Sequence, residues 1–74
     1  MINIPDSKIF NAILQVQRGG KVDMFNIPLV IWYLNSVKEN MAAQWVKDNS
    51  DLYRQGILAG FKNDIQEIKN IVNR

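Results

Sequence analysis

The chain contains neither cysteine nor histidine among its 74 residues. Disulfide bonds are therefore excluded, and so are the usual zinc sites and the familiar Ser–His and Cys–His catalytic pairs. A domain this small has a limited hydrophobic core and commonly depends on a disulfide, a metal or a partner chain. With disulfides and zinc removed, self-association or a protein partner is the support that remains.

Long hydrophobic runs are also missing. The longest uninterrupted apolar run is Leu29 to Leu34, far below the roughly 20 residues that a membrane-spanning helix needs. Met1 to Lys8 contains a proline, an aspartate and a serine, which does not fit a signal peptide. A cysteine-free composition is typical of a reducing cytosol. We therefore expect a soluble, cytoplasmic protein without a membrane partner.

No motif for catalysis stands out. The segment from Arg18 to Lys21 has two glycines, but it lacks the spacing and the following Ser or Thr of a phosphate-binding loop. The carboxylate pairs Asp48 with Asp51 and Asp64 with Glu67 lie three residues apart, yet basic residues nearby favour solvated surface charges. We predict a non-enzymatic chain with no cofactor, no metal and no small-molecule substrate.

The sequence does contain clear helix signals. Asp6 or Ser7 is a suitable N-cap for a first helix, and Gly19-Gly20 provides the left-handed conformation that ends one. An apolar stripe at helical spacing lies between these limits. It consists of Ile9, Phe10, Ile13, Leu14 and Val16.

A second helix is predicted from about Ile27 to Lys38. Asn26 would be its N-cap, and Pro28 would lie in its first turn, where the missing N–H is harmless. The run from Leu29 to Leu34 leaves no polar face in the first two turns. A helix that is apolar all round is normally buried on more than one side, so we expect this segment at the centre of the domain or in a chain–chain contact.

A β-hairpin over residues 21–34 is the alternative. Lys21 to Phe25 alternates apolar and polar residues, and Leu29 to Leu34 is rich in strand-forming residues. Asn26 to Pro28 would then be the turn. This reading gives an α+β fold with one hairpin.

The second half of the chain suggests one or two further helices. Glu39-Asn40 looks like a boundary, and the cluster from Asp48 to Asp51 looks like a helix start with Asn49 or Ser50 as N-cap. Gly56 and Gly60 indicate either close packing against the backbone or a helix end at Gly60. We predict an all-α, compact bundle of three to four helices forming one domain over residues 1–74. The stripe of the last helix is Leu52, Tyr53, Ile57, Phe61, Ile65, Ile68 and Val72.

The charges suggest no dedicated nucleic-acid binder. Nine basic and seven acidic residues give a net charge of +2, and the basic residues are spread along the chain. The helix after the Gly-Gly turn is apolar, so it cannot read bases as the second helix of a helix-turn-helix does. If nucleic acid is bound, Arg18 and Lys21 are the candidate contacts. Tyr33 is the aromatic residue we expect at a surface; we assign to the core Phe10, Phe25, Trp32, Trp45, Tyr53 and Phe61.

The stretch from Gly20 to Asn26, Gly-Lys-Val-Asp-Met-Phe-Asn, followed by Val30, resembles a motif of short uncharacterised proteins from phages and prophages of Gram-positive bacteria. A second motif of that family resembles a later run here, formed by Tyr53, Ile57, Leu58 and Gly60. The resemblance covers roughly residues 9–61, with a poor match from Trp32 to Trp45 and a departure at Val22. It implies a phage or prophage origin, a bacterial host and helical architecture, but no activity. The motif also has structural roles: Gly20 in the turn, Asn26 as cap, Met24 and Phe25 as anchors.

Two functions fit these observations. The first is a small non-catalytic accessory protein that acts by protein–protein contact, on a host protein or as a homo-oligomer, with Trp32 and Tyr33 as candidate contacts. The second is a nucleic-acid-binding regulator that uses a scattered basic surface around Arg18 and Lys21. Two structural observations bear on the choice: the exposure of Trp32 and Tyr33, and the clustering of basic residues on one face.

Overall fold

The computed structural model describes residues 1–63. This part of the chain is mostly helical, with a small parallel sheet, so the predicted helical bundle is confirmed. The predicted domain over residues 1–74 extends beyond the described part, and the last members of the predicted stripe (Ile65, Ile68 and Val72) lie outside it. The elements are β1 (Ile2–Asn3), α1 (Ser7–Gly19), α2 (Ile27–Ser36), α3 (Asn40–Asp48), α4 (Ser50–Ala59) and β2 (Phe61–Lys62).

α1 has the predicted caps. The carboxylate of Asp6 accepts hydrogen bonds from the backbone N–H groups of Lys8 at 2.9 Å and Ile9 at 3.1 Å. Gly20 follows the helix with φ +62°, the left-handed conformation that glycine adopts without strain. The buried face of α1 consists of Ile9, Ala12, Ile13 and Val16.

α2 is a helix, so the hairpin alternative over residues 21–34 is wrong. The side chain of Asn26 accepts a hydrogen bond from the backbone N–H of Leu29 at 3.2 Å, and Pro28 lies in the first turn. These two signals outweigh the strand propensity of the residues that follow. The helix ends at Ser36, earlier than predicted, and Lys38 has φ +64°. This positive φ separates α2 from α3.

α3 begins at Asn40, which confirms the predicted boundary, and α4 begins at Ser50. Asn49 precedes α4, but its side chain makes no N-cap hydrogen bond. The side-chain amide of Asn49 instead donates to the carbonyl oxygen of Trp45 at 3.0 Å. Asn49 thus occupies the predicted N-cap position of α4, but its side chain bonds to the end of α3 and not to the first turn of α4.

The two glycines of α4 have separate roles. Gly60 ends the helix with φ +96°, which is one of the two predicted roles. Gly56 lies directly beneath the ring of Phe61, and a Cβ atom at this position would collide with that ring. The Phe61 ring stacks on Tyr53 with centroids 6.0 Å apart and meets Trp45 edge-on at 6.4 Å.

The sheet was not predicted from the sequence. β1 and β2 pair in parallel, with Ile2 opposite Phe61. The backbone N–H of Ile2 donates to the carbonyl oxygen of Gly60 at 2.9 Å. The side-chain amide of Asn63 donates to the carbonyl oxygen of Ile4 at 2.8 Å. The start of the chain is thereby fixed to the segment after α4.

The core lies between α1, α2 and α3 and is closed by α4 and the sheet. α3 packs against both α1 and α2. The buried hydrophobic residues are Ile4, Ile9, Ala12, Ile13, Val16, Ile27, Val30, Leu34, Ala42, Ala43, Val46, Tyr53 and Phe61. Within residues 1–63, no helix combines the length and the apolar character that crossing a membrane requires.

Candidate functional site

The outward side of α2 is apolar in its first two turns and ends in the exposed Asn35 and Ser36. Ile27, Val30 and Leu34 point into the core, and helical geometry of 3.6 residues per turn places Pro28, Leu29 and Trp32 on the opposite side. Trp32 is 64% exposed. We call Pro28, Leu29 and Trp32 the Trp32 face. The segment from Phe25 to Val37, to which this face belongs, contains no charged residue.

The structure corrects the assignment of aromatic residues. Phe25 and Trp32 were expected in the core, but they are 60% and 64% exposed. Tyr33 was expected at the surface, and it is half-buried. Trp32 is exposed because α2 is covered by neighbours on one side only, whereas Phe25 precedes the helix and lies in the turn.

α1 has an outward side of the opposite character. Lys8, Asn11, Gln15 and Arg18 follow one another at steps of three, four and three residues, which places them on one side of a helix. All four side chains are exposed. We call these residues the α1 ridge, because a groove lies along the helix on each side of it.

The first groove separates the α1 ridge from the segment that joins α2 to α3. Lys38 and Met41 line its far wall, and Glu39 is its acidic residue. The second groove separates the ridge from the turn after α1 and from α2. Lys21 and Tyr33 line its far wall, and Leu14 contributes an apolar surface. Asn11 and Gln15 line both grooves.

The basic residues that border these grooves come from separate parts of the sequence. Lys8 and Arg18 belong to α1, and the fold adds Lys21 from the following turn and Lys38 from beyond α2. Among residues 1–63, the remaining basic residues (Lys47, Arg54 and Lys62) line neither groove. The candidate contacts Arg18 and Lys21 therefore lie together, and Tyr33 lies beside them rather than with Trp32.

Sequence reasoning missed part of this surface. The spacing of Lys8, Asn11 and Gln15 with Arg18 was visible in the sequence and could have identified the ridge. Lys38 gave no such signal, because only the packing of α3 against α1 brings it to the groove.

The turn between α1 and α2 is held by Tyr53. The buried Tyr53 hydroxyl donates a hydrogen bond to the carbonyl oxygen of Met24 at 2.8 Å. Burial, and secondarily the negative charge of Asp23, raises the pKa of Tyr53 from 10.0 to about 12. This bond joins the turn between α1 and α2 to α4.

The motif residues of the turn have different roles. Gly20 and Asn26 cap the two helices as predicted, and the half-buried Met24 packs against the core. Phe25 does not anchor the turn by burial, since its side chain is largely exposed. The carboxylate of Asp23, rather than Phe25, orders the turn by accepting from the backbone N–H of Phe25 at 2.9 Å.

The carboxylate pair within the described residues has ordinary polar partners. Asp48 accepts a hydrogen bond from the side-chain amide of Gln44 at 2.9 Å, and Asp51 lies 3.8 Å from the guanidinium of Arg54. Asp64 and Glu67 lie outside the described residues. Within residues 1–63, no three metal-ligating side chains come together.

The described surface thus offers two candidate contact regions, the Trp32 face and the α1 ridge. The first is apolar and uncharged, and the second is polar and basic. Comparison with protein-family models, with curated proteins and with solved structures finds no match to this chain. The chemistry of these two surfaces is therefore the basis on which a function can be argued.

Proposed function

We propose that this chain is a small non-catalytic accessory protein that acts by protein–protein contact through the Trp32 face. The observation that carries the proposal is the exposure of Trp32, a residue that is 64% exposed. A large exposed aromatic residue on an apolar surface is characteristic of protein interfaces, where tryptophan is strongly enriched among the residues that dominate binding energy.

The occupant that we favour is a second copy of the chain. The Trp32 face and the segment from Phe25 to Val37 that contains it carry no charged residue, so two copies of this face can meet without bringing like charges of the segment together. Two-fold dimers formed by one self-complementary patch are the commonest oligomers. A host protein is the other occupant. A phage or prophage origin is part of the proposal and is supported by the Gly20–Asn26 motif alone.

The test is light scattering of the full chain over a range of concentrations. We expect a concentration-dependent dimer for the wild type and a monomer for Trp32→Ser. Leu58→Ser is the matched control, because Leu58 is 82% exposed on α4 and lies outside the Trp32 face. This control should dimerise like the wild type.

The fluorescence of Trp32 reports on the same contact. In a Trp45→Phe background the remaining tryptophan is Trp32, and its emission should shift to shorter wavelength as the dimer forms. A wild-type chain that stays monomeric at every concentration would refute self-association. If the immobilised wild type and Leu58→Ser retain a host protein that Trp32→Ser does not retain, the Trp32 face binds a host partner and not a second copy.

A further inference from the structure

The α1 ridge is a second surface, separate from the Trp32 face, and its side chains contribute little to the packing of the fold. Lys8, Asn11, Gln15 and Arg18 are all exposed. Within residues 1–63, none of these four side chains makes a hydrogen bond or an ion pair. Polar side chains at this spacing are therefore available to an external ligand.

The charge around the ridge is predominantly positive. The two grooves are lined by the basic residues Lys8, Arg18, Lys21 and Lys38, against the acidic residue Glu39. The carboxylates of Asp6 at the start of α1 and Asp23 in the turn line neither groove, and both accept hydrogen bonds from backbone N–H groups. A surface of this kind favours a polyanion.

From these features we infer that the α1 ridge binds duplex DNA by entering its major groove. α1 has 13 residues, and a helix with its side chains is about 10–12 Å across, which matches a major groove about 12 Å wide. The grooves on both sides of the ridge leave room for the two DNA backbones. Lys21 and Lys38 lie on the far walls of these grooves, where phosphates would pass.

The centre of the ridge has the side chains suited to base edges. Asn11 and Gln15 carry amides, which pair in bidentate fashion with adenine in the major groove, and Arg18 can do the same with guanine. The reading helix is thus α1, rather than the apolar α2 that follows the Gly-Gly turn. Duplex RNA fits poorly, since its major groove is too deep and narrow for a helix.

Fluorescence anisotropy with a labelled random-sequence DNA duplex, over a range of salt concentrations, tests this inference. If Lys8, Arg18, Lys21 and Lys38 each neutralise a phosphate, affinity should fall roughly 100-fold between about 50 and 200 mM salt. Arg18→Ala/Lys21→Ala should reduce the slope of log K against log salt by about 2.

The matched control removes the same charge elsewhere. Lys47→Ala/Arg54→Ala alters exposed basic residues of α3 and α4 that border neither groove, so this variant should keep the wild-type slope. Equal losses in both double variants would mean non-specific attraction and would overturn the proposed surface. Circular dichroism of each variant confirms that it is folded before binding is compared.

The variant Asn11→Ala/Gln15→Ala separates the contribution of base contacts to DNA affinity from the contribution of charge. On duplexes selected from a random pool by the wild type, this variant should lose at least about 10-fold in affinity, as expected when base contacts are removed, while its salt slope stays unchanged. No binding to any duplex at low salt would refute the inference. Binding that is equally tight to single-stranded DNA or to duplex RNA would refute entry into the major groove.

Discussion

α1 and α2 pack against the same partner, α3, but turn opposite chemistry to the solvent. The outward side of α1 consists of polar and basic residues, whereas that of α2 begins with the apolar Pro28, Leu29 and Trp32 and ends with Asn35 and Ser36. The inward sides of both helices are similarly apolar. Folding accounts for the inward sides of both helices and for the polar outward side of α1. It does not account for the exposed Trp32 of α2, and an exposed apolar patch of this kind is characteristic of an interaction site.

The largest effect we expect separates the two sides of α2. Leu34 is 1% exposed and Trp32 is 64% exposed. Leu34→Ala should lower the free energy of unfolding by about 2–5 kcal/mol, because it leaves a cavity in the core. Trp32→Ser should change it by less than about 0.5 kcal/mol in the monomer.

Urea denaturation at low protein concentration measures both changes without a contribution from self-association. Similar losses of stability in the two variants would contradict the comparison. Trp32 would then be part of the packing of this domain rather than of an intermolecular contact.

A smaller effect concerns the turn that joins the two helices. Tyr53→Phe removes the hydrogen bond to the carbonyl oxygen of Met24, and we expect a loss of about 1–2 kcal/mol in unfolding free energy. The apolar ring remains, so its stacking on Phe61 should persist. Thermal unfolding at neutral pH measures the loss.

The same bond predicts a pH dependence with a definite sign. The pKa of Tyr53 is raised from 10.0 to about 12 in the folded chain. Between these pH values the unfolded chain releases the proton that the folded chain keeps, so rising pH favours unfolding. The stability advantage of the wild type over Tyr53→Phe should be complete below pH 10.0 and shrink towards pH 12. An advantage that does not change across this range would contradict the buried hydroxyl.

Local signals in the sequence predicted much of the fold. Asp6, Gly20 and Asn26 act through neighbours within a few residues, so their capping roles could be inferred without knowing the tertiary structure. The same holds for the boundary before Asn40. The pairing of Ile2 with Phe61 could not be inferred, because two-residue strands carry almost no pattern and their partners are far apart in the chain.

The candidate surfaces were harder to predict for a related reason. An apolar run predicts burial of a helix but not how many of its sides neighbouring elements will cover, so Trp32 was assigned to the core. The clustering of Lys21 and Lys38 around α1 depends on how the helices pack. In the sequence these two lysines are 17 positions apart, and no local pattern indicates that they lie near the same helix.

The smallest effects we expect lie at the corner where α1 leads into α2, where two adjacent glycines form a matched pair. A Cβ atom added at Gly19 or at Gly20 would meet no neighbouring atom, so any difference between the two reflects the backbone alone. Gly20 has φ +62°, and Gly20→Ala should cost about 1 kcal/mol, since an alanine in this conformation is strained. Gly19 ends α1, and Gly19→Ala should stabilise the fold by about 0.5 kcal/mol, because the unfolded chain loses conformational freedom. Thermal unfolding of the two variants should therefore shift in opposite directions. Shifts of the same sign would mean that the corner does not have the geometry that positions Lys21 beside the α1 ridge.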